Sequence, residues 1–320
     1  MKTWVGIDVS KLTLDICWFS AEKPNHLKIQ NEARGFKGLL SKLPESPHIV
    51  MEATGAYYLR LAHFLMLNQV AVSVINPISI KRYAQMKLAR AKTDKYDAAI
   101  IAGFGASQEP PAWELPDAKI LEMQQLCTLE EQVIAQRRVS LNQKEAFDQN
   151  PFASKTALKS IAHIVKCLDK EIKTIRESLE AITTEHYPRE VEIICSIPGM
   201  GKKTAQALLV VTKGFRNTMN GRELCSYVGI APRPFQSGTS VRGRGRISKM
   251  GSRSLRNKIY MCTLTAIRSN PACKSFYERL RGNGKAAKVA LIAVAAKLLR
   301  QAVAMINTDS LFDEKLAMGG

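Results

Sequence analysis

A chain of 320 residues is long enough for two or three domains with hydrophobic cores of their own. It carries 47 Lys/Arg against 28 Asp/Glu, and residues 201–320 hold 22 of the basic but only 5 of the acidic side chains. This imbalance predicts a nucleic-acid surface. The seven cysteines contain no C-x-x-C pair, which argues against a disulfide framework or a zinc site.

Nothing in the sequence predicts export or a membrane partner. The first residues run directly into a strand-like segment without the apolar region of a signal peptide. The longest apolar run near the end, residues 289–296, is too short to span a bilayer and is flanked by Lys288 and Lys297. We therefore expect a cytoplasmic, nucleoid-associated protein of a bacterium or archaeon.

Residues 1–109 are predicted to form an α/β domain. Strand-like runs at residues 4–9 and 12–19 are separated by a short step, which favours a hairpin. Two further strands, at 48–52 and 70–75, alternate with amphipathic stretches that predict helices. The predicted helices cover residues 35–43, 57–67 and 78–91. A hairpin followed by β/α alternation indicates a mixed sheet with helices on its faces.

Four acidic residues in this domain are candidates for one metal site. Asp8 lies in the first strand, and Glu52 ends a later one. Thr93 is a plausible N-cap, so Asp94 and Asp97 fall on one face of the first turn of the helix that follows. Taken singly, each acid has an ordinary explanation as a solvated residue or as helix-terminal decoration. As a set, clustered carboxylates repel one another unless a cation is present, and they suit Mg²⁺.

Residues 110–190 are predicted to form a helical arm. Pro110, Pro111 and Pro116 mark a linker, and Asn150-Pro151 divides two helical stretches. In the second stretch, apolar residues recur at alternating steps of three and four, a seven-residue repeat. The repeat consists of Leu158, Ile161, Val165, Leu168, Ile172, Ile175, Leu179 and Ile182. An antiparallel helical hairpin and a coiled-coil contact between subunits explain this pattern equally well.

Residues 191–320 begin with a segment that has the form of a helix-hairpin-helix. Gly199 and Gly201 allow a tight turn, and the next helix presents free N–H groups together with Lys202 and Lys203 to a phosphate. Such a unit binds the nucleic-acid backbone without reading bases. An ordinary packing corner between two helices is the alternative. Helices predicted at residues 252–267 and 285–306 complete this mainly helical domain.

The loop at residues 229–246 combines hydroxyl residues with an alternation of Arg and Gly. The plain interpretation is phosphate binding by Arg242, Arg244 and Arg246. A sharper one makes a hydroxyl the nucleophile, with the arginines neutralising the attacked phosphate. The residues alone do not choose among the hydroxyl candidates. Those candidates are Ser237, Thr239 and Ser240.

Taken together, these segments resemble the DEDD-type insertion-sequence transposases, relatives of the Piv-like site-specific DNA invertases. The resemblance covers essentially the whole chain and rests on five motifs. The motifs are Gly6-Ile7-Asp8, Met51-Glu52-Ala53-Thr54-Gly55, Lys92-Thr93-Asp94 through Asp97-Ala98, Ile197-Pro198-Gly199-Met200-Gly201, and Ser237-Gly238-Thr239-Ser240-Val241-Arg242-Gly243. The resemblance implies an RNase H/RuvC-like first domain that binds Mg²⁺ through Asp8, Glu52, Asp94 and Asp97.

The resemblance also implies a serine in the last domain that becomes covalently joined to DNA. Carried onto this sequence, that serine is Ser237, with Ser240 as the second choice. Further implications are a structured guide RNA encoded by the mobile element, which pairs with donor and target DNA, and a homo-oligomer, either a dimer or a tetramer. Two rival functions are a hydrolytic RuvC-like junction resolvase or nuclease, in which Ser237 only binds phosphate, and a nucleic-acid-binding scaffold without chemistry.

Overall fold

Two units make up the chain, Met1–Leu115 and Pro116–Gly320. The computed structural model describes residues 2–20, 23–88, 93–216, 220–233, 236–237, 241–242 and 246–315, and of residues 236–237 and 241–242 it describes the backbone alone. The division into three domains, with boundaries at 109/110 and 190/191, stays a prediction.

The first unit is built on a five-stranded mixed sheet with the strand order β3-β2-β1-β4-β5. Its strands are β1 (Thr3–Val9), β2 (Thr13–Ser20), β3 (Lys23–Gln30), β4 (Pro47–Glu52) and β5 (Ala71–Ile75). The first three strands form an antiparallel meander, whereas β4 and β5 run parallel to β1. The predicted mixed sheet and RNase H-like fold class are confirmed.

Helices cover both faces of this sheet. They are α1 (Ala33–Leu40), α2 (Leu59–Leu67), α3 (Pro77–Met86) and α4 (Asp94–Gln108). Alternate residues of β1, namely Val5, Ile7 and Val9, pack into one apolar core with α1 and α2. On the opposite face, α3 and α4 pack against residues that include Val50. The chain thus buries both faces of its central strands, as parallel connections require.

Two features of the first unit differ from the sequence prediction. Strand β3 was not predicted, because its residues alternate between exposed and half-buried and it opens with Lys-Pro-Asn, which does not favour a strand. It lies at the edge of the sheet, where lysines are common because they discourage pairing with another chain. Helix α3 ends at Met86, short of the predicted residue 91, and residues 89–92 lie outside the described part.

The arm is a hairpin of two long helices in the second unit, α5 (Ala118–Asp148) and α6 (Lys155–His186). Two ion pairs, Arg137–Asp169 at 2.5 Å and Arg176–Glu130 at 2.7 Å, link the helices with a register that only antiparallel packing allows. All eight residues of the seven-residue repeat are buried or half-buried. The repeat therefore serves packing within the chain, and a coiled-coil contact between subunits stays a prediction.

Six shorter helices and four two-residue strands follow the arm in the described residues. They are α7 (Pro188–Ser196), α8 (Lys202–Thr212), α9 (Gly221–Val228), β6 (Pro232–Arg233), β7 (Gln236–Ser237), β8 (Val241–Arg242), β9 (Arg246–Ile247), α10 (Arg253–Ser269), α11 (Pro271–Gly282) and α12 (Ala287–Asn307). Helices α9 and α11 were not predicted. Both have readable starts, because Asn220 and Glu223 form a capping box and Asn270-Pro271 places a cap before a proline.

Helix α12 lies at the centre of the second unit's apolar core. Its buried side chains include Val294, Leu298 and Ala302. By length and composition it is the one helix in the described residues that could cross a membrane, and it contains the eight-residue apolar run at 289–296. Because its most buried residues contact the other helices of this unit, a core helix is the simpler explanation.

Candidate active site

A row of four charged residues crosses the sheet of the first unit from its edge to its centre. Asp8 on β1 lies directly opposite Asp15 on β2, and Asp15 lies opposite Lys28 on β3. On the other side of Asp8, the parallel register that pairs Ile7 with Met51 makes Glu52 its next neighbour. Because directly opposed residues share one face of a sheet, all four side chains lie on the face that α4 covers.

Helix α4 lies against this face because glycine permits a very close approach. A Cβ atom added to Gly6 would come within 2.2 Å of the Ala102 nitrogen and 2.3 Å of the Ala98 oxygen. Near the other end of α4, a Cβ on Gly105 would meet Val50 and Trp4 at 2.8 and 2.9 Å.

These contacts fix the direction of α4 relative to β1. Trp4 meets the end of the helix and Gly6 its middle, so Asp8, two residues further along the strand, points toward the first turn. The packing of small residues therefore carries the beginning of α4 over Asp8.

The first turn of α4 supplies the remaining two acids. The hydroxyl of Thr93 accepts a hydrogen bond from the Tyr96 N–H at 3.3 Å, which confirms the predicted N-cap. Asp94 and Asp97 follow in that turn, where the helix dipole favours negative charge. Asp94 is exposed and Asp97 half-buried.

The electrostatics of Asp8 agree with this placement of the four acids. Burial, followed by the charges of Asp97, Asp94, Glu52 and Asp15, raises the pKa of Asp8 from 3.8 to about 6. The three other acids of the predicted set all contribute to this shift, although they come from separate parts of the chain. The structure thus brings Asp8, Glu52, Asp94 and Asp97 together.

Asp15 and Lys28 belong to the same site and were missed at the sequence level. The Lys28 ammonium lies 2.9 Å from a carboxylate oxygen of Asp15 and 3.7 Å from one of Asp94. The Asp15 side chain is only 7% exposed, so the ion pair joins a buried carboxylate to the half-exposed ammonium of Lys28. The position of Asp15 could have been predicted from the sequence of the hairpin, because the short connection at Ser10 sets the register that places Asp15 opposite Asp8.

The raised pKa of Asp8 predicts how pH affects the stability of the first unit in the absence of divalent cations. Between about pH 4 and 6 the unfolded carboxyl ionises while the folded one keeps its proton, so stability falls as pH rises through this window. Above it, ionised Asp8 costs at most about 3 kcal/mol, the equivalent of its shift. Asp8→Asn is therefore expected to stabilise the unit at pH 7.5 by about 1–3 kcal/mol in EDTA.

Urea denaturation followed by tryptophan fluorescence measures this effect, because Trp4, Trp18 and Trp113 all lie in the first unit. Glu45→Gln, at an exposed acid of the same unit, is the matched control and should change stability by less than about 0.5 kcal/mol at each pH. An Asp8→Asn protein no more stable than wild type at pH 7.5 would contradict the clustering of charges.

The donor set suits a hard divalent cation, although the carboxylates are not drawn together around one point. Among the residues that the structure describes, no three acidic, His or Cys side chains form a finished ligand set. The four acids nevertheless offer only oxygen ligands, and their mutual repulsion is what a divalent cation relieves. Thr54 donates a hydrogen bond of 3.1 Å to Glu52, which orients that carboxylate. The donor chemistry of these residues therefore fits such an ion, whereas their present spacing does not yet enclose one.

The predicted serine lies in the second unit, on a pair of short hairpin strands. Ser237 in β7 pairs with Val241 in β8, so its backbone position is defined. In the outer pair of strands, β6 and β9, Arg233 lies opposite Arg246. This pairing closes the base of the loop at residues 229–246. Thr239, Ser240 and Arg244 lie outside the described residues, as do the side chains of Ser237 and Arg242.

The predicted helix-hairpin-helix segment has a defined turn between α7 and α8. Gly199 has φ of +101°, and a Cβ there would meet the backbone nitrogen of Ala266 at 2.8 Å, so this glycine serves both the turn and the packing on α10. Gly201 is the N-cap of α8 and faces open space. Lys202 and Lys203 are both exposed, and Lys202 forms an ion pair with Glu180. Backbone binding by this segment stays a prediction.

Comparison with known proteins connects both units to DNA transposition. Residues 5–147 match the transposase family DEDD_Tnp_IS110, and residues 191–278 match the transposase IS116/IS110/IS902 family. The first match contains all four acids, and the second contains Ser237.

Two kinds of relative agree with this assignment. The pilin gene-inverting protein of Moraxella lacunata is 29% identical over 98% of this chain and 99% of its own length, and the protein of the same name from Moraxella bovis is equally similar. An insertion element IS110 protein of Streptomyces coelicolor is 26% identical over 50% of this chain and 39% of its own length.

DEDD-type RNase H-like domains of this kind generally use a divalent metal, in agreement with the donor set described above. The first match runs from the first unit through most of α5 in the second, the second match lies within the second unit, and together they include most of the chain. The chain therefore belongs to the DEDD-type insertion-sequence transposases of the IS110/IS116 family, which are DNA-binding recombination enzymes.

Proposed function

We propose that this transposase cuts and rejoins DNA strands through a covalent link between Ser237 and a DNA phosphate, with Mg²⁺ held by Asp8, Glu52, Asp94 and Asp97. The observation that carries the proposal is that four acids from three separate segments lie on one face of the sheet and in the first turn of the helix that covers it. Such convergence favours catalysis over a scaffold role, because a scaffold gains nothing from mutually repelling carboxylates.

In this mechanism the hydroxyl oxygen of Ser237 attacks the scissile phosphorus. A serine–phosphate ester forms, the bond from phosphorus to a deoxyribose oxygen breaks, and the serine proton passes to a carboxylate of the acidic cluster. The departing deoxyribose oxygen then takes this proton from the carboxylate and leaves as a hydroxyl. Attack of another strand's hydroxyl on the same phosphorus restores the serine, so rejoining needs no ATP.

Residues around the reacting groups would stabilise charge and hold the substrate. Asp8, Glu52, Asp94 and Asp97 would hold the cation, which when bound would offset negative charge at the scissile phosphate. Arg242, Arg244 and Arg246 would neutralise the phosphate beside Ser237, because they follow it closely in the same loop. This assignment rests on their charge and their position in the chain.

Contacts away from the reaction would come from the basic second unit. Residues 201–320 carry 22 basic and 5 acidic side chains, so release of counterions should supply much of the affinity. We assign backbone contacts to the turn and helix start at Gly199, Gly201, Lys202 and Lys203. Lys202 would first have to leave its ion pair with Glu180.

The partners of the reaction are proposed from the family and from charge. Relatives that are named for inverting a pilin gene and for insertion elements support double-stranded DNA, both donor and target, as substrate. We further propose an element-encoded guide RNA, a homo-oligomer of two or four chains, and a cytoplasmic location. A net charge of +19 is compatible with binding both nucleic acids.

The experiment that tests this function traps the covalent link. The full-length protein is incubated with Mg²⁺ and a donor plasmid that carries the ends of the element, and the products are separated on a denaturing gel. A protein–DNA adduct is expected, and mass spectrometry after nuclease digestion should place the attached nucleotide on Ser237. Free cut ends without any adduct would instead support the hydrolytic rival.

Lys28 gives a second test, directed at the metal site. Its ammonium lies between Asp15 and Asp94 and would compete with Mg²⁺ for the same negative charge. Lys28→Gln keeps a hydrogen-bond donor for Asp15 but removes the cation, so the affinity for Mg²⁺ is expected to rise roughly threefold or more. Calorimetric titration of Mg²⁺ without DNA measures this, with Lys37→Gln on α1 as the control. An unchanged or weaker affinity in Lys28→Gln would contradict the competition.

A further inference from the structure

A large cavity in the second unit lies beside the base of the serine loop. Its volume is about 1000 Å³, and its walls come from four helices and from strands β6 and β9. The lining residues that matter for its chemistry are the aromatic Tyr260 and Phe276 and the aliphatic Ile230, Val289, Ile292 and Ala293. Apolar cavities of this size in folded proteins commonly receive a ligand.

The apolar wall of this cavity is accessible to an occupant. Val289 is 56% exposed, although it is a large aliphatic residue on a helix that otherwise forms the core. Phe276 has two cationic neighbours, with the Arg279 guanidinium 5.4 Å and the Lys297 ammonium 5.5 Å from the ring centre. Because both cations lie over the Phe276 ring, the aromatic surface left for stacking a nucleobase is Tyr260, over whose ring no cation lies among the described residues.

The rim of the cavity is positive. Arg222, Arg246, Lys288 and Arg300 line it, and none of the described residues that line it is acidic. In the described parts of the chain, none of these four cations has an ion-pair partner among the carboxylates. An apolar, aromatic interior with an uncompensated positive rim matches an occupant that has flat apolar groups attached to an anionic backbone, which describes a nucleic-acid strand.

The position of the cavity relates it to the proposed reaction. Pro232, Arg246 and Ile247, from the strands that close the serine loop, are among its lining residues. Ser237 follows Arg233 by four residues, so it lies within about 14 Å of that strand even when the chain is fully extended. A nucleotide in the cavity can therefore be close to the phosphate that Ser237 attacks.

We propose that this cavity receives unpaired bases of the DNA strand next to the phosphate that is cut. The inference rests on the proposed function for the identity of the strand. Removing a base from a duplex costs a few kcal/mol, and stacking on protein aromatic groups gives back about 1–3 kcal/mol for each base. The site would therefore favour DNA that is already unpaired near the cut.

The test compares two glutamate substitutions in Ser237→Ala protein, which removes the proposed nucleophile. Val289→Glu places a carboxylate on the cavity wall, whereas Met261→Glu places one on α10 at a residue that is 61% exposed and does not line the cavity. The probes are two DNA duplexes of the same sequence, one fully paired and one with three unpaired nucleotides that include 2-aminopurine. Fluorescence anisotropy measures affinity, and 2-aminopurine emission reports the environment of the base.

Val289→Glu is expected to weaken binding of the unpaired probe roughly tenfold or more and to abolish its change in 2-aminopurine emission. Its affinity for the paired duplex should change less than about twofold, and Met261→Glu should leave both probes as in the parent protein. Equal losses on both probes, or no loss, would overturn the proposal.

Two further measurements separate other occupants of the cavity. If Val289→Glu alone changes the number of subunits by light scattering, the cavity is a subunit contact and the proposal is wrong. If its effect appears only with an RNA oligonucleotide, the DNA assignment is overturned. None of these binding measurements requires the covalent link between Ser237 and DNA. A failure of the serine mechanism is therefore detected by a different assay, in which wild-type protein would form no protein–DNA adduct.

Discussion

Replacing Ser237 by alanine is expected to abolish the covalent protein–DNA adduct and to reduce strand rejoining at least about a thousandfold. The reason is that the substitution removes the oxygen atom that forms the ester with phosphorus. Binding of DNA should change little, because affinity comes mainly from the many basic residues of the second unit. A denaturing gel measures the adduct, and a filter-binding titration measures affinity.

Ser240→Ala is the matched control, because it makes the same chemical change at another serine, three residues further along the same loop. It should leave the adduct in place. Loss of the adduct in Ser240→Ala but not in Ser237→Ala would move the nucleophile to Ser240. Free cut ends that persist in both variants would show that water attacks, as in a nuclease, and the serine mechanism would then be abandoned.

Gly6→Ala is expected to lower the free energy of unfolding of the first unit by about 3 kcal/mol or more. The added methyl would meet the Ala102 nitrogen at 2.2 Å and the Ala98 oxygen at 2.3 Å, and these backbone atoms cannot move without shifting α4. A shifted α4 carries Asp94 and Asp97 away from Asp8. We therefore expect the variant to lose affinity for Mg²⁺ as well as stability.

Gly38→Ala is the control for the same chemical change. It lies in α1, where an added Cβ meets nothing within 4 Å, so it should leave stability unchanged or raise it by about 0.5–1 kcal/mol. Urea denaturation followed by tryptophan fluorescence reports on the first unit in both variants. A Gly6→Ala protein as stable as wild type would show that α4 does not pack on β1 as described.

Much of the fold was readable from the sequence because its signals are local. The seven-residue repeat of α6, the Thr93 cap of α4 and the short step before Thr13 each depend on residues near one another in the chain. Strand β3 was missed because an exposed edge strand has little apolar alternation to reveal it. Helices α9 and α11 were missed because their length is short and their cap signals were not read.

The candidate site was readable in part. Its four acids came from motifs, but their proximity depends on contacts that no local pattern contains, such as the approach of α4 to Gly6. Lys28 could not be placed, because its pairing with Asp15 needs the register of a strand that was not predicted. The large cavity is a product of four helices and two short strands, so only the folded chain reveals it.

The charged row from Lys28 to Glu52 has a consequence for how this domain can vary in length. Side chains alternate between the two faces of a strand, so inserting or deleting one residue within β1 would turn Asp8 from the α4 side into the aliphatic interior. Inserting one residue in the connection between α1 and β4, at residues 41–46, leaves the alternation and the pairing of every strand intact. Natural variants of this domain should therefore gain and lose residues in connections such as this one, and keep the spacing within each strand unchanged.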